Sequence, residues 1–184
     1  MTAADDHPGI VGSPAPTERV LRWPDEAATA AFAARLAAAP ELRRAFIALH
    51  GDLGAGKTTL VRHLLRACGV AGRIKSPTYA VVEPHEPADA AGAWQAWHFD
   101  FYRFDDPREW EDAGFRDIFA SSGLKIAEWP EKARGVLPTP DLDLFISSDA
   151  DDVRHVTLTA STATGRALLR QVADGAPPQE NLYP

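Results

Sequence analysis

The stretch Gly51–Leu60, "GDLGAGKTTL", decides how this chain is read. Gly51, Gly56, Lys57 and Thr58 match the pattern G-x-x-x-x-G-K-[ST] in full. Glycines let backbone N–H groups wrap a phosphate with no side chain in the way. A helix starting behind them adds the positive end of its dipole. In such a loop the lysine, Lys57, reaches β- and γ-phosphates, and the hydroxyl of Thr58 binds Mg²⁺. The flanks suit this reading. "AFIALHG" before the loop is a short apolar run, as expected of a buried parallel strand. After it, Leu60, Val61, Leu64, Leu65 and Cys68 fall on one helical face, and Gly69 supplies the stop. The bland alternative, a glycine-rich turn holding no ligand, needs neither flank.

With 184 residues, 45% hydrophobic and 24% charged, the chain suits one domain with one sizeable core. Residues 1–18 read as a flexible leader, 19–174 as a single domain and 175–184 as a loose tail. The formal net charge of −7 argues against a free-standing nucleic-acid binder. Arg62, Arg66, Arg73 and Lys75 lie close in sequence and read as a solvated face. The single cysteine, Cys68, cannot form an internal disulfide, which fits a reducing compartment. No secretory signal is visible in "MTAADDHPGI", which carries two aspartates and no apolar core, and the alanine-rich Ala27–Ala39 is too short and too weakly apolar to span a membrane. A cytoplasmic location with no membrane attachment is expected.

Along the chain, "RVLRW" is expected as a strand. "PDEAATAAFAARLAAA" reads as a helix, with Asp25 or a neighbour at its start and Pro40 at its end. "KSPTYAVVEPHE" begins as a loop and becomes a strand, and "PADAAGA" is a surface turn. "WQAWHFDFYRF" and "GLKIAEW" read as strands. "DDPREWEDAG" has a helix start with Asp106 as N-cap. "PEKARGVLP" is a turn or short helix. "DLDLFIS" and "DVRHVTLTAS" alternate like a late hairpin, and Thr164 is placed to cap a last helix. Together these predict an α/β fold, a P-loop three-layer sandwich with a mostly parallel sheet. The late hairpin predicts mixing toward one end.

A phosphate loop needs a second carboxylate for the Mg²⁺ shell, usually at a strand end. Asp100 in "AWHFDFYR" and Glu128 in "KIAEW" both qualify, and spacing alone does not separate them. Gln95 and His98 interrupt the apolar run expected before Asp100. The bland reading of each acid is a surface carboxylate. Guanine specificity in common GTPases uses N-K-x-D, but the only Asn is Asn181, so ATP is the better nucleotide. Six histidines and one cysteine show no zinc spacing, and the histidines read as surface or core filler. Trp94, Trp97 and Trp110 read as packing, while Trp129 stands out beside Glu128.

Four segments, "GDLGAGKTTL", "KSPTYAVVE", "HFDFYRF" and "EWPEK…GVLP", occur in that order, and together they resemble the TsaE (YjeE) family. The resemblance spans roughly residues 24–161. That family is the small bacterial P-loop ATPase required for threonylcarbamoyladenosine on tRNA. The resemblance implies a P-loop sheet of atypical strand arrangement. It implies Thr58 and Glu128 as magnesium ligands, phosphate contacts from Gly54, Ala55, Gly56, Lys57, Thr58 and Thr59, and Asp100 in the Walker-B-like position. "SPTY", including Thr78, and Glu128-Trp129 would be switch-like segments, with the Trp129 indole near the nucleotide. Arg154 would contact the nucleotide, and Asp25 or Glu26 would lie near the base. Phe101 stands where leucine is usual, and the loop 84–93 is unusually alanine-rich.

The implied activity is ATP hydrolysis to ADP with Mg²⁺, weak alone and stimulated by a complex of TsaD and TsaB. Hydrolysis would reset that complex between rounds of transfer to adenosine 37, with tRNA met only indirectly. Lys57, Asp100 and Glu128 are the catalytic candidates, and either acid could orient the attacking water. A small-molecule kinase with the same loop is the alternative, but no arginine-rich lid segment is visible. A nucleotide sensor without turnover is a third class.

Overall fold

A computed structural model of the protein describes residues 17–77, 81–90, 92–104 and 114–173. In order these form β1 (Thr17–Trp23), α1 (Glu26–Ala37), a 3-10 turn (Pro40–Arg44), β2 (Phe46–His50) and α2 (Lys57–Ala67). Next come β3 (Val82–His85), β4 (Ala88–Asp89), β5 (Gly92–Ala93), β6 (Ala96–Asp100) and α3 (Phe115–Ala120). The order ends with β7 (Leu124–Glu128), a second 3-10 turn (Pro130–Ala133), β8 (Leu142–Ser148), β9 (Arg154–Ala160) and α4 (Ala163–Ala173). The expected helix start at Asp106 and the segment's Trp110 lie outside the described residues, as does Thr78. β1 begins at Thr17, so Thr17 and Glu18 belong to a strand rather than to the leader.

Seven strands form one sheet in the order β1-β9-β8-β2-β7-β6-β3. The middle four, β8, β2, β7 and β6, are parallel. Mixing occurs at both ends, not one: β8, β9 and β1 pair antiparallel on one side, and β3 pairs antiparallel with β6 on the other. The second case was not legible because a strand's neighbour across the sheet leaves no mark in its own sequence. "PADAAGA" carries the β4–β5 hairpin rather than a bare turn.

The central strands are buried on both faces, which is why they read as continuous apolar runs. One face carries Ile47, Leu49, Ile126 and Leu144 against Phe32 and Leu36 of α1, Leu60 and Leu64 of α2, and Leu168 of α4. The other carries Phe46, Ala48 and Phe99 against Phe101, Phe104 and Phe115. This second layer covers β2, β7 and β6, so Phe145 of β8 is 48% exposed on that side. Among the described residues no helix is long and apolar enough to cross a membrane.

Helix ends follow local chemistry. Asp25 caps α1 by accepting from the Ala28 N–H at 2.8 Å. The last helix starts one residue before Thr164. Its cap is Thr162, whose hydroxyl accepts from the Gly165 N–H at 3.0 Å and donates to Asp141. Gly165 is pressed against the Asp141 carbonyl, so a Cβ there would sit 1.7 Å from that oxygen. This close approach draws the helix onto the strand connection and sets its first turn.

Candidate nucleotide site

The phosphate loop joins β2 to α2 at the C-terminal end of the parallel strands, where open α/β sheets bind ligands. Gly51 has φ 135, and a Cβ there would lie 2.1 Å from the Ile146 carbonyl of β8. Gly56 has φ 105 and caps α2 without a side chain, leaving the first N–H groups of the helix facing the loop.

Lys57, the first residue of α2, is buried. Its Nζ donates to the carbonyls of Gly51 at 2.5 Å and Asp52 at 2.9 Å. It also sits 3.9 Å from the centre of the Trp129 ring. Burial pulls the Lys57 pKa below its ordinary value, against the opposing pull of Glu128, Glu131, Asp100 and Asp52. Trp129 holds φ 57, a left-handed conformation rare for a bulky residue. Its N–H donates to the Leu49 carbonyl and its ring lies 5.0 Å from that of Tyr102.

The two carboxylates that spacing could not separate stand side by side, because Asp100 and Glu128 are register partners on parallel β6 and β7. Their partners differ. Glu128 is 2% exposed and accepts from the Thr58 hydroxyl at 2.9 Å. Asp100 accepts from the Ser76 hydroxyl at 2.6 Å and from the Tyr102 N–H at 3.1 Å. Both acids line a cleft of about 330 Å³ with Gly54, Thr58, Arg62 and Trp129.

A second cleft, about 380 Å³, opens on the other side of the loop. Trp23, Asp25, Thr29, Ala55 and Arg154 line it, and Gly56 and Thr59 line both clefts. Arg154 opens β9 beside Trp23 of β1, and its Nε donates to the Ala55 carbonyl at 3.2 Å. Asp25 reaches this wall but spends one oxygen on its helix cap. Glu26 bonds His63 Nε2 at 2.8 Å, tying the start of α1 to α2.

The structure thus gathers Asp25, the loop residues, Asp100, Glu128, Trp129 and Arg154 around one loop, with a cleft on each side. Two further residues join them, Ser76 from the switch-like "SPTY" and His98. Ser76 tethers the segment before Thr78 to Asp100. His98 is wholly buried, with Nε2 2.8 Å from Glu128 Oε1. It is not filler; the signal was its position two residues before Asp100, on the same strand face.

Thr58 and Glu128 offer hard oxygen atoms in contact at the edge of a cleft, a donor set that fits Mg²⁺. Among the described residues no three His, Cys, Asp or Glu cluster as a metal cage. Mg²⁺ at phosphate sites takes one or two carboxylates and completes its shell with phosphate and water, so such a cage is not required.

A sheet with a parallel centre, a glycine loop opening a helix, a buried loop lysine and a hydroxyl–carboxylate pair beside it define a P-loop nucleotide-binding protein of the NTPase fold. The model of the family described as Threonylcarbamoyl adenosine biosynthesis protein TsaE matches residues 23–156. The chain belongs to the TsaE family. The tRNA threonylcarbamoyladenosine biosynthesis protein TsaE of Haemophilus influenzae is 43% identical over 122 residues, covering 66% of this chain and 73% of that protein. The protein of the same description from Bacillus subtilis is 33% identical over 114 residues, covering 62% and 68%. The crystal structure of YdiB from Bacillus subtilis superposes with a TM-score of 0.66 at 26% identity, covering 88% of this chain and 98% of that one.

Proposed function

We propose that this protein binds ATP on the loop Gly51–Thr59, hydrolyses it to ADP, and thereby serves N6-threonylcarbamoylation of adenosine 37 in tRNA. The observation that carries the reading is the Thr58–Glu128 contact at the mouth of the phosphate loop, in a chain of the TsaE family. The partner is a TsaD–TsaB complex, with tRNA met only through it and the reaction set in the cytoplasm. A net charge of −7 suits a protein that works through another protein rather than on RNA directly.

Each residue has a task in this reading. The loop N–H groups from Gly54 to Thr59 cradle the phosphates. Lys57 exchanges its loop carbonyls for phosphate oxygens. Thr58 and Glu128, with Asp100 beside them, would hold Mg²⁺, which when bound neutralises charge on the phosphates. Asp100 or Glu128 orients the attacking water. Asp25 and Arg154 flank the nucleoside in the second cleft. Because Ser76 is tied to Asp100 and Trp129 to Lys57, a change at the phosphates reaches both switch-like segments.

The test is ATP hydrolysis measured with and without TsaD–TsaB. Stimulation by the complex is expected, with turnover lost in Lys57→Ala and Mg²⁺-dependent binding weakened in Thr58→Ala. Turnover unchanged in Lys57→Ala overturns the site. Turnover that depends on a small metabolite instead of the complex favours a kinase.

A further inference from the structure

A buried carboxylate needs hydrogen bonds for both of its oxygens. Glu128 meets this demand with one partner for each oxygen. Oε2 accepts from Thr58, and Oε1 lies 2.8 Å from His98 Nε2. His98 is on β6, two residues before Asp100, and pairs with Ile126 while Asp100 pairs with Glu128. Residues two apart share a strand face, so the imidazole sits just below the carboxylate.

A carboxylate oxygen only accepts, so Nε2 carries the hydrogen. The other tautomer would oppose two lone pairs at this distance. It would also bury an N–H at Nδ1, an atom that has no partner among the described residues. One tautomer therefore satisfies the pair and one does not. Packing alone does not account for a polar ring with 0% exposure in a strand whose buried neighbours are Ala96 and Phe99.

We propose that His98 is a positioning residue for the nucleotide site. Its Nε2–H holds the Glu128 carboxylate so that Oε2 is presented to Thr58 and the phosphate loop. The proposal rests on the reading of Thr58 and Glu128 as the Mg²⁺-holding pair. In many metal sites a carboxylate orients a ligating histidine; here a histidine orients the carboxylate. Without it, Oε1 is left buried and unsatisfied, and the carboxyl group gains by turning away from Thr58.

His98→Phe keeps a flat aromatic ring and removes the donor, while His98→Gln keeps a donor near the Nε2 position. ADP affinity is measured by calorimetry with Mg²⁺ and with EDTA. Affinity in EDTA should be alike in the wild type and both variants. The gain on adding Mg²⁺ should fall about tenfold or more in His98→Phe, the scale seen when an outer partner of a metal ligand is lost, and His98→Gln should recover most of it. An undiminished gain in folded His98→Phe overturns the proposal, and so does a folded His98→Gln no better than His98→Phe. If His98→Phe does not fold, nitrogen-15 NMR of histidine-labelled wild type decides. The Nε2–H tautomer is expected, with its signal moving when Mg²⁺ joins the ADP-bound protein; the Nδ1–H tautomer or an unmoved signal overturns it. Glu128→Gln separates the two readings. If it keeps the full Mg²⁺ gain, the site reading fails and His98 with it. If it loses the gain while His98→Phe keeps it, only the role of His98 fails.

Discussion

The ammonium of Lys57 rests over the face of Trp129, 3.9 Å from the ring centre, while the same nitrogen donates to Gly51 and Asp52 of its own loop. A cation held this way is worth about 0.5–2 kcal/mol to the pair, more as it is desolvated. Phosphates drawing Lys57 away must exchange that contact for charge-assisted hydrogen bonds.

Trp129 should therefore report nucleotide binding by a change in fluorescence. Trp129→Phe should silence the change, although four other tryptophans remain of the five. An equal change in Trp129→Phe would place the signal elsewhere, with Trp23 in the second cleft the first suspect.

Arg154 braces the loop from the opposite side, through its bond to the Ala55 carbonyl. Arg154→Met keeps much of the stem and removes the brace. Nucleotide affinity should drop about tenfold, the lower end for a hydrogen bond from a charged donor in a partly exposed position. Calorimetric titration with ADP checks this, and wild-type affinity would rule the brace out.

Acid stability carries a mark of His85. Burial lowers its pKa below the ordinary value, against the opposing pull of Glu83. Between the lowered value and the unfolded one, about 6.5, the unfolded chain holds more protons than the folded one. Stability from this group is thus lost as pH falls below about 6.5 and recovered as it rises. The Tm of His85→Gln should fall less than that of the wild type between pH 7.5 and pH 5.5. Parallel curves would exclude His85 as the source.

Cys68 closes α2 in a buried position, and burial pushes its thiol up to about 12, with Asp89 adding to the rise and Arg43 opposing it. Thiolate is the reactive form. Iodoacetamide at pH 8 should leave the native protein unlabelled and label it fully in denaturant. Rapid labelling of the native protein would show that the end of α2 opens.

Much of this was legible in the sequence where the signal is local. Gly51–Leu60 announced strand, loop and helix because the pattern and both flanks lie in one continuous run, Ala45–Gly69. The apolar runs of β2 and β7 announced a buried parallel sheet. What depends on pairing was not legible. Thr58 and Glu128 are seventy positions apart, and nothing local says that β7 lies beside β2. Asp100 and Glu128 looked equivalent because each ends a strand; only their register and the line of α2 assign Thr58 to one and Ser76 to the other. His98 looked like a flaw in an apolar run because its partner sits on another strand. The cap at Thr162 was missed because Asp141, which fixes its hydroxyl, comes from a distant turn.

The pairing of β1 with β9 has a consequence for the order in which the molecule can be built during synthesis. The first strand finds its partner only when residues 154–160 have been made. Trp23 and Arg154 are opposite one another in that ladder and both face the second cleft. One wall of the cleft and the brace on Ala55 therefore arrive together, 99 positions after the residue that they brace. A nascent chain that has released "GDLGAGKTTL" from the ribosome has the motif but not this brace, so the second cleft waits for β9.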